Sequence, residues 1–185
     1  VTESNFESDP KADVKQESGS VTFIWLYPKE RLFSYSASAK LRVERNIPEI
    51  KGKIVFPIRD LPKEYLIYTS PTEFIDINQE IEKKAREIVG NDDDLFSIVF
   101  KLAERTRKNI KYDLNTLTAE AVKPSSWVLE NRQGVCDEMT NLFISFLRGL
   151  GVPARFISGV VYSNVHNDFS NHGWAEVYFP NYGWI

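Results

Sequence analysis

The chain has 185 residues, is 42% hydrophobic and carries a formal charge of −3, which suits one medium domain or a core with a small module attached. The first twenty residues hold five acidic and two basic side chains and so account for the whole net charge, leaving no basic surface that would suit nucleic acid. One cysteine excludes an intrachain disulfide, and one cysteine with two histidines is too few for a structural zinc site, so no metal or other cofactor is expected.

Residues 1–20 mix Ser, Glu, Asp and Lys without periodicity and predict a disordered leader. The chain starts at Val1, which is compatible with a signal or anchor further upstream and leans toward an exported or membrane-tethered parent. Apolar runs such as VTFIWLY are too short to span a bilayer, so no membrane insertion is expected of this segment.

From Val21 the pattern has period two. Val21, Phe23, Trp25 and Tyr27 share a face, and Phe33 to Val43 alternate apolar with polar residues as a long half-buried strand. Short strands are expected at Lys53 to Phe56 and Tyr65 to Thr69, punctuated by Pro48, Pro57 and Pro62. Residues 21–70 therefore read as a β-rich N-terminal module. Helical spacing follows: Ile77, Ile81, Ala85, Ile88 and Val89 precede Gly90, and a second amphipathic run begins at Leu95. The Asn91 to Asp94 run lacks the alternating ligands, central Gly and closing Glu of a calcium loop and reads as a helix cap.

A third helix begins at or just before Cys136, with Met139, Leu142, Phe143, Phe146, Leu147 and Leu150 repeating at three and four, and ends at Gly149 to Pro153. Cys136 shares a face with Met139 and Phe143. That admits a packing role, because free cysteines are often buried. A thiol in the first turn of a helix also meets unpaired N–H groups and the positive end of the dipole, which favour thiolate and can steady an oxyanion. Two strands follow, Ala154 to Tyr162 and His172 to Phe179, joined by a polar loop. His172 shares its strand face with Trp174, Glu176 and Tyr178, and a strand holds a base more rigidly than the loop that carries His166. His166, Asp168 and His172 straddle loop and strand without a fourth ligand, a poor metal set.

Gly134-Val135-Cys136, Leu150-Gly151-Val152-Pro153-Ala154-Arg155, His172-Gly173-Trp174-Ala175-Glu176-Val177 and Gly183-Trp184 together resemble the core of the transglutaminase-like superfamily. Asn109 to Asp113 and the approach from Leu129 to Gly134 fit the same pattern, so the resemblance covers residues 71–185. It implies an α+β, papain- or transglutaminase-like core: a nucleophile at a helix N-terminus packed on an antiparallel sheet, preceded by the β-rich module. It also implies that Cys136 is the nucleophile and His172 its acid–base partner. The family's third residue, an Asp on the strand after Gly-Trp, has no counterpart, so the core is expected to be cut short, with that residue beyond Ile185. Glu176 is a poor substitute, since four residues along one strand is about 13 Å.

The implied chemistry is acyl transfer on amide bonds of a protein or peptide substrate through a Cys136 thioester, with peptide or amide hydrolysis favoured over protein-glutamine transamidation. A non-catalytic scaffold or binding module on the same fold is the alternative. Trp127 and Trp174 are candidate walls for the substrate, although core packing is the commoner fate of tryptophan.

Overall fold

A computed structural model describes residues 3–17, 20–42, 48–114, 122–164 and 167–185. Val43 and His166, both named above, lie outside them. The chain divides into two compact units, Val1–Ile47 and Pro48–Ile185, so the change falls at residue 47 and not at 70.

In the first unit, β1 (Glu3–Asp9) pairs antiparallel with β4 (Ser34–Lys40), and β2 (Asp13–Glu17) with β3 (Ser20–Ile24). Most of the expected disordered leader is therefore strand. The apolar residue that orders it, Phe6, finds its partners far along the chain, on Phe23 at 6.4 Å and opposite Ala37, so no local periodicity announces it. Phe23 stacks on Trp25 and meets Tyr35 at 5.2 Å; Trp25 Nε1 donates to the Pro10 carbonyl at 2.7 Å. β4 is exposed along its length and not half-buried, as suits a two-stranded pair.

The second unit gathers its core from helices and one sheet. The chain around Ile54 forms no strand of its own but makes a bridge, Val55 to Asp94, with the Leu95 N–H donating to the Ile54 carbonyl at 2.7 Å. Lys63–Thr69, expected in part as a strand, is a 3₁₀ helix entered from Pro62. Side chains three apart eclipse in that geometry, which aims Tyr65 and Tyr68 together at Trp184, 5.8 and 4.9 Å away.

α1 (Gln79–Val89) starts where the Asn78 side chain accepts from Ile81 N and stops at Gly90, whose φ is 58°. α2 (Leu95–Asn109) is capped by Asp94, which accepts from Phe96 N and from Ile54 N. The acidic run thus serves as a cap: Asp92 is held by Ser97 and Lys101, and Asp93 by Lys53. Then come β5 (Lys111–Tyr112), the unexpected α3 (Ser125–Asn131), β6 (Gln133–Gly134) and α4 (Cys136–Gly149).

β7 (Ala154–Ser163), β8 (Asp168–Phe179) and β9 (Gly183–Trp184) form an antiparallel sheet in that order. β8 begins four residues earlier than its apolar pattern predicts, because Phe169 stands opposite Tyr162 with their rings 5.3 Å apart. Leu142, Ile144, Phe146 and Leu147 of α4 pack with Val177 and Phe179 of β8 and with Ile81, Ala85, Leu95, Ile98 and Leu102 of the first two helices. Arg148 ties the end of α4 down: Nε and an Nη donate to the Ala154 carbonyl at 3.0 and 2.8 Å, the other Nη to the Ser70 carbonyl at 2.6 Å.

Candidate active site

Cys136 is the first residue of α4 and half-buried. What sets its position is a buried carboxylate two residues on. Glu138, 2% exposed, accepts from Val135 N at 2.9 Å through one oxygen and from Lys123 N at 3.3 Å through the other, fixing the turn that enters the helix. Ahead of that turn, β5 and β6 pair in parallel with Tyr112 opposite Gly134, and Asp113 N donates to the Gly134 carbonyl at 3.1 Å.

This pairing places the Tyr112 phenol beside the thiol. Loss of water around the hydroxyl pushes its pKa above the ordinary tyrosine value, and the adjacent Cys136 thiol adds to the rise, while the Cys136 backbone N–H, donating toward the phenol oxygen, opposes it. The phenol therefore remains a donor at neutral pH, next to the backbone N–H at the head of the helix.

On the other side of the thiol lies β8. Thr140 Oγ1 donates to the Gly173 carbonyl at 3.3 Å. Four residues further along the same edge, Val177 exchanges both backbone bonds with Ile185, just past β9, so the Gly173 carbonyl points out of the sheet edge in its plane. Thr140 and Cys136, one helical turn apart, thus run along that edge.

The Cys136 thiol donates to Asp137 Oδ1 at 3.4 Å, and the same oxygen rests on Gly173, where any Cβ would collide with it. His172 is the next residue, half-buried and opposite Gly159 of β7. Alternation sets it with Trp174 on the face opposite Gly173, and the Trp174 indole fills the space above Gly159. The fold thus brings the strand that carries His172 to the thiol, while among the described residues no hydrogen bond joins the imidazole to the sulfur.

The remaining candidates are dispersed. Trp127 lies on α3, packed against the core with the Lys123 ammonium 5.9 Å above its ring, whereas Trp174 is 37% exposed beside His172. Glu176 is held by Arg155 at 2.6 Å, and the Arg155 guanidinium stacks on Trp184 at 4.3 Å. Asp168 is exposed and accepts from Phe169 N. Among the described residues no group of three His, Cys, Asp or Glu side chains is placed to hold a metal ion. Sequence reasoning passed over Tyr112, Asp137 and Glu138. The last two directly follow the cysteine, where acidic residues read as ordinary complements of the helix dipole.

A half-buried thiol at the head of a helix, lying along the edge of an antiparallel sheet, is the architecture of the papain-like thiol-enzyme folds. The chain belongs to the transglutaminase-like superfamily, whose sequence profile matches residues 82–185. A crystal structure of a candidate cysteine protease from Cytophaga hutchinsonii superposes with a TM-score of 0.69 at 20% identity, over 99% of this chain and 63% of that one. The periplasmic domain of TgpA from Pseudomonas aeruginosa gives 0.53 at 18% identity, over 68% and 46% of the two chains. In sequence, the uncharacterized protein YebA of Bacillus subtilis is 30% identical over 73 residues, 32% of this chain and 10% of its own. The chain thus spans only part of each of these proteins.

Proposed function

We propose that this chain carries a thiol-dependent acyl-transfer site in which Cys136 attacks an amide carbonyl and His172 moves the protons, with hydrolysis of peptide or amide bonds favoured over protein-glutamine transamidation. The observation that carries the reading is the placement of Cys136 at the head of α4, along the edge of the strand that holds His172.

Sulfur adds to the carbonyl carbon while the thiol proton passes to His172. The oxyanion is met by the Cys136 backbone N–H at the head of α4 and by the Tyr112 O–H of β5. His172 then returns its proton to the departing amine as the C–N bond breaks, which leaves a thioester. Water, deprotonated by the same imidazole, resolves it to a carboxylic acid and free thiol. Water rather than an amine is favoured because both Cys136 and Trp174 reach solvent, and transamidation requires that water be kept out.

The Cytophaga hutchinsonii structure is described as a candidate cysteine protease, which supports hydrolysis, and the periplasmic location of the TgpA domain supports an exported or membrane-tethered parent. The test is incubation with a mixed peptide pool and a labelled primary amine. New amino termini should accumulate without labelled adducts, and Cys136→Ala should abolish them. Labelled adducts in excess of new termini would reverse the preference, and neither product would favour a non-catalytic module.

A further inference from the structure

All four helices of the second unit contribute to one cavity of about 310 Å³, and none of the residues described at the thiol lines it. Its floor is apolar. Leu142 and Phe146 of α4 and Ile110 at the end of α2 are buried there, with Ile88 of α1 and Leu129 of α3 packed beside them. Its rim is basic. Lys83 and Lys84 of α1, Arg105 of α2 and Arg132 at the end of α3 stand against Glu80 and Glu87, a local excess of two positive charges in a chain that is neutral outside its first twenty residues.

Most of that charge is not spent within the protein. Lys84 holds Glu87 at 2.8 Å, and this contact first, then the nearby Lys83 and Arg105, keeps the Glu87 carboxyl below its ordinary value. Among the described residues Lys83, Arg105 and Arg132 form no ion pair and donate no side-chain hydrogen bond. Arg132 is held in place at a cost. It ends α3 at φ 55° and ψ 34°, the left-handed conformation in which a helix ordinarily stops on glycine. Its carbonyl accepts from Lys111 N at 2.8 Å, which anchors this part of the rim to β5.

We infer that the cavity is a second ligand site, separate from the thiol, for a small amphiphilic anion: an apolar body seated on Leu142 and Phe146, and a carboxylate, sulfonate or phosphate group held by Arg105 and Arg132 with Lys83 beside them. The guanidinium forks present paired N–H donors that match such oxyanions, and the apolar floor gains from being covered. A cation would meet the excess positive charge, and a neutral ligand would gain nothing from the rim. The volume lies at the lower end of ligand cavities, about 300–1,000 Å³, which limits the occupant to a small molecule.

The probe is 8-anilino-1-naphthalenesulfonate, an aromatic anion whose fluorescence rises on leaving water, titrated into the whole folded chain beside N-phenyl-1-naphthylamine, the same rings without the sulfonate. The variants are Arg132→Gly, Arg105→Gln and the two combined, with Lys29→Gln as a control at the other aromatic cavity, beside Trp25 and Tyr27 in the first unit. Saturable binding of the anion should weaken about threefold in each arginine variant and about tenfold in the pair, with the neutral compound and the control unaffected. Glycine suits the backbone at 132, so the urea midpoint of Arg132→Gly should be no lower than that of the wild type. No saturable binding, unchanged binding in the double variant, an equal loss for the neutral compound, or an equal loss in Lys29→Gln overturns the site. Should a variant fail to fold, displacement from the wild type decides: 1-naphthoate should compete with the probe at concentrations where the uncharged 1-naphthylmethanol does not, and equal competition overturns the site. Neither readout involves the thiol, so the outcome is independent of the acyl-transfer reading.

Discussion

Thr140 donates its hydroxyl to the carbonyl of Gly173, and this bond registers α4 against β8 at the residue next to His172. Glycine is required there by close approach, since a Cβ would meet Asp137 Oδ1 on one side and the Phe156 ring on the other. Gly173→Ala should therefore cost about 1–3 kcal/mol by overpacking, read as a lower urea midpoint at unchanged slope. An unchanged midpoint would mean that α4 and β8 are not in register as described.

A second prediction concerns acid stability. Lys101, Ser97 and the Asp94 N–H together hold the Asp92 carboxyl well below the usual carboxylate range. A group whose folded value is depressed stabilises the fold above its unfolded pKa, near 3.9, and loses that contribution as the pH falls toward the folded value. Asp92→Asn should lower the thermal midpoint at pH 7, and its gap to the wild type should close as the pH is taken from about 5 toward 2. A gap independent of pH would contradict this.

Where the sequence was legible, local chemistry and tertiary demand agreed. The head of α4 follows from Gly134-Val135-Cys136 and the apolar spacing after it, and the Asp94 cap follows from an acidic run before an amphipathic one. Both features are written within a few neighbouring residues. Tyr112 became part of the site through a two-residue parallel pairing with Gln133–Gly134, more than twenty residues on, which leaves no periodic trace. The strands of the leader were hidden for the same reason, since Glu3–Asp9 is ordered by Ser34–Lys40. Tyr65 to Thr69 has the composition of a strand yet lies within a 3₁₀ helix, because the aromatics at 65 and 68 serve Tyr178 and Trp184 across the unit, and so short a window cannot distinguish that from strand. His172 lay in a legible strand, but its relation to the thiol depends on which sheet edge α4 lies along, and sequence alone does not specify that.

The central claim is that Cys136 attacks carbonyl carbon with the help of His172. It is tested most directly by the rate at which p-nitrophenyl acetate acetylates the one cysteine, followed by intact mass in the wild type, His172→Ala and the urea-unfolded chain. The account predicts acetylation of the folded wild type well above the unfolded rate and a loss of about a hundredfold in His172→Ala, as expected when a general base is removed. Equal rates in wild type and His172→Ala, with the fold intact, would contradict it and leave Cys136 a thiol without a base.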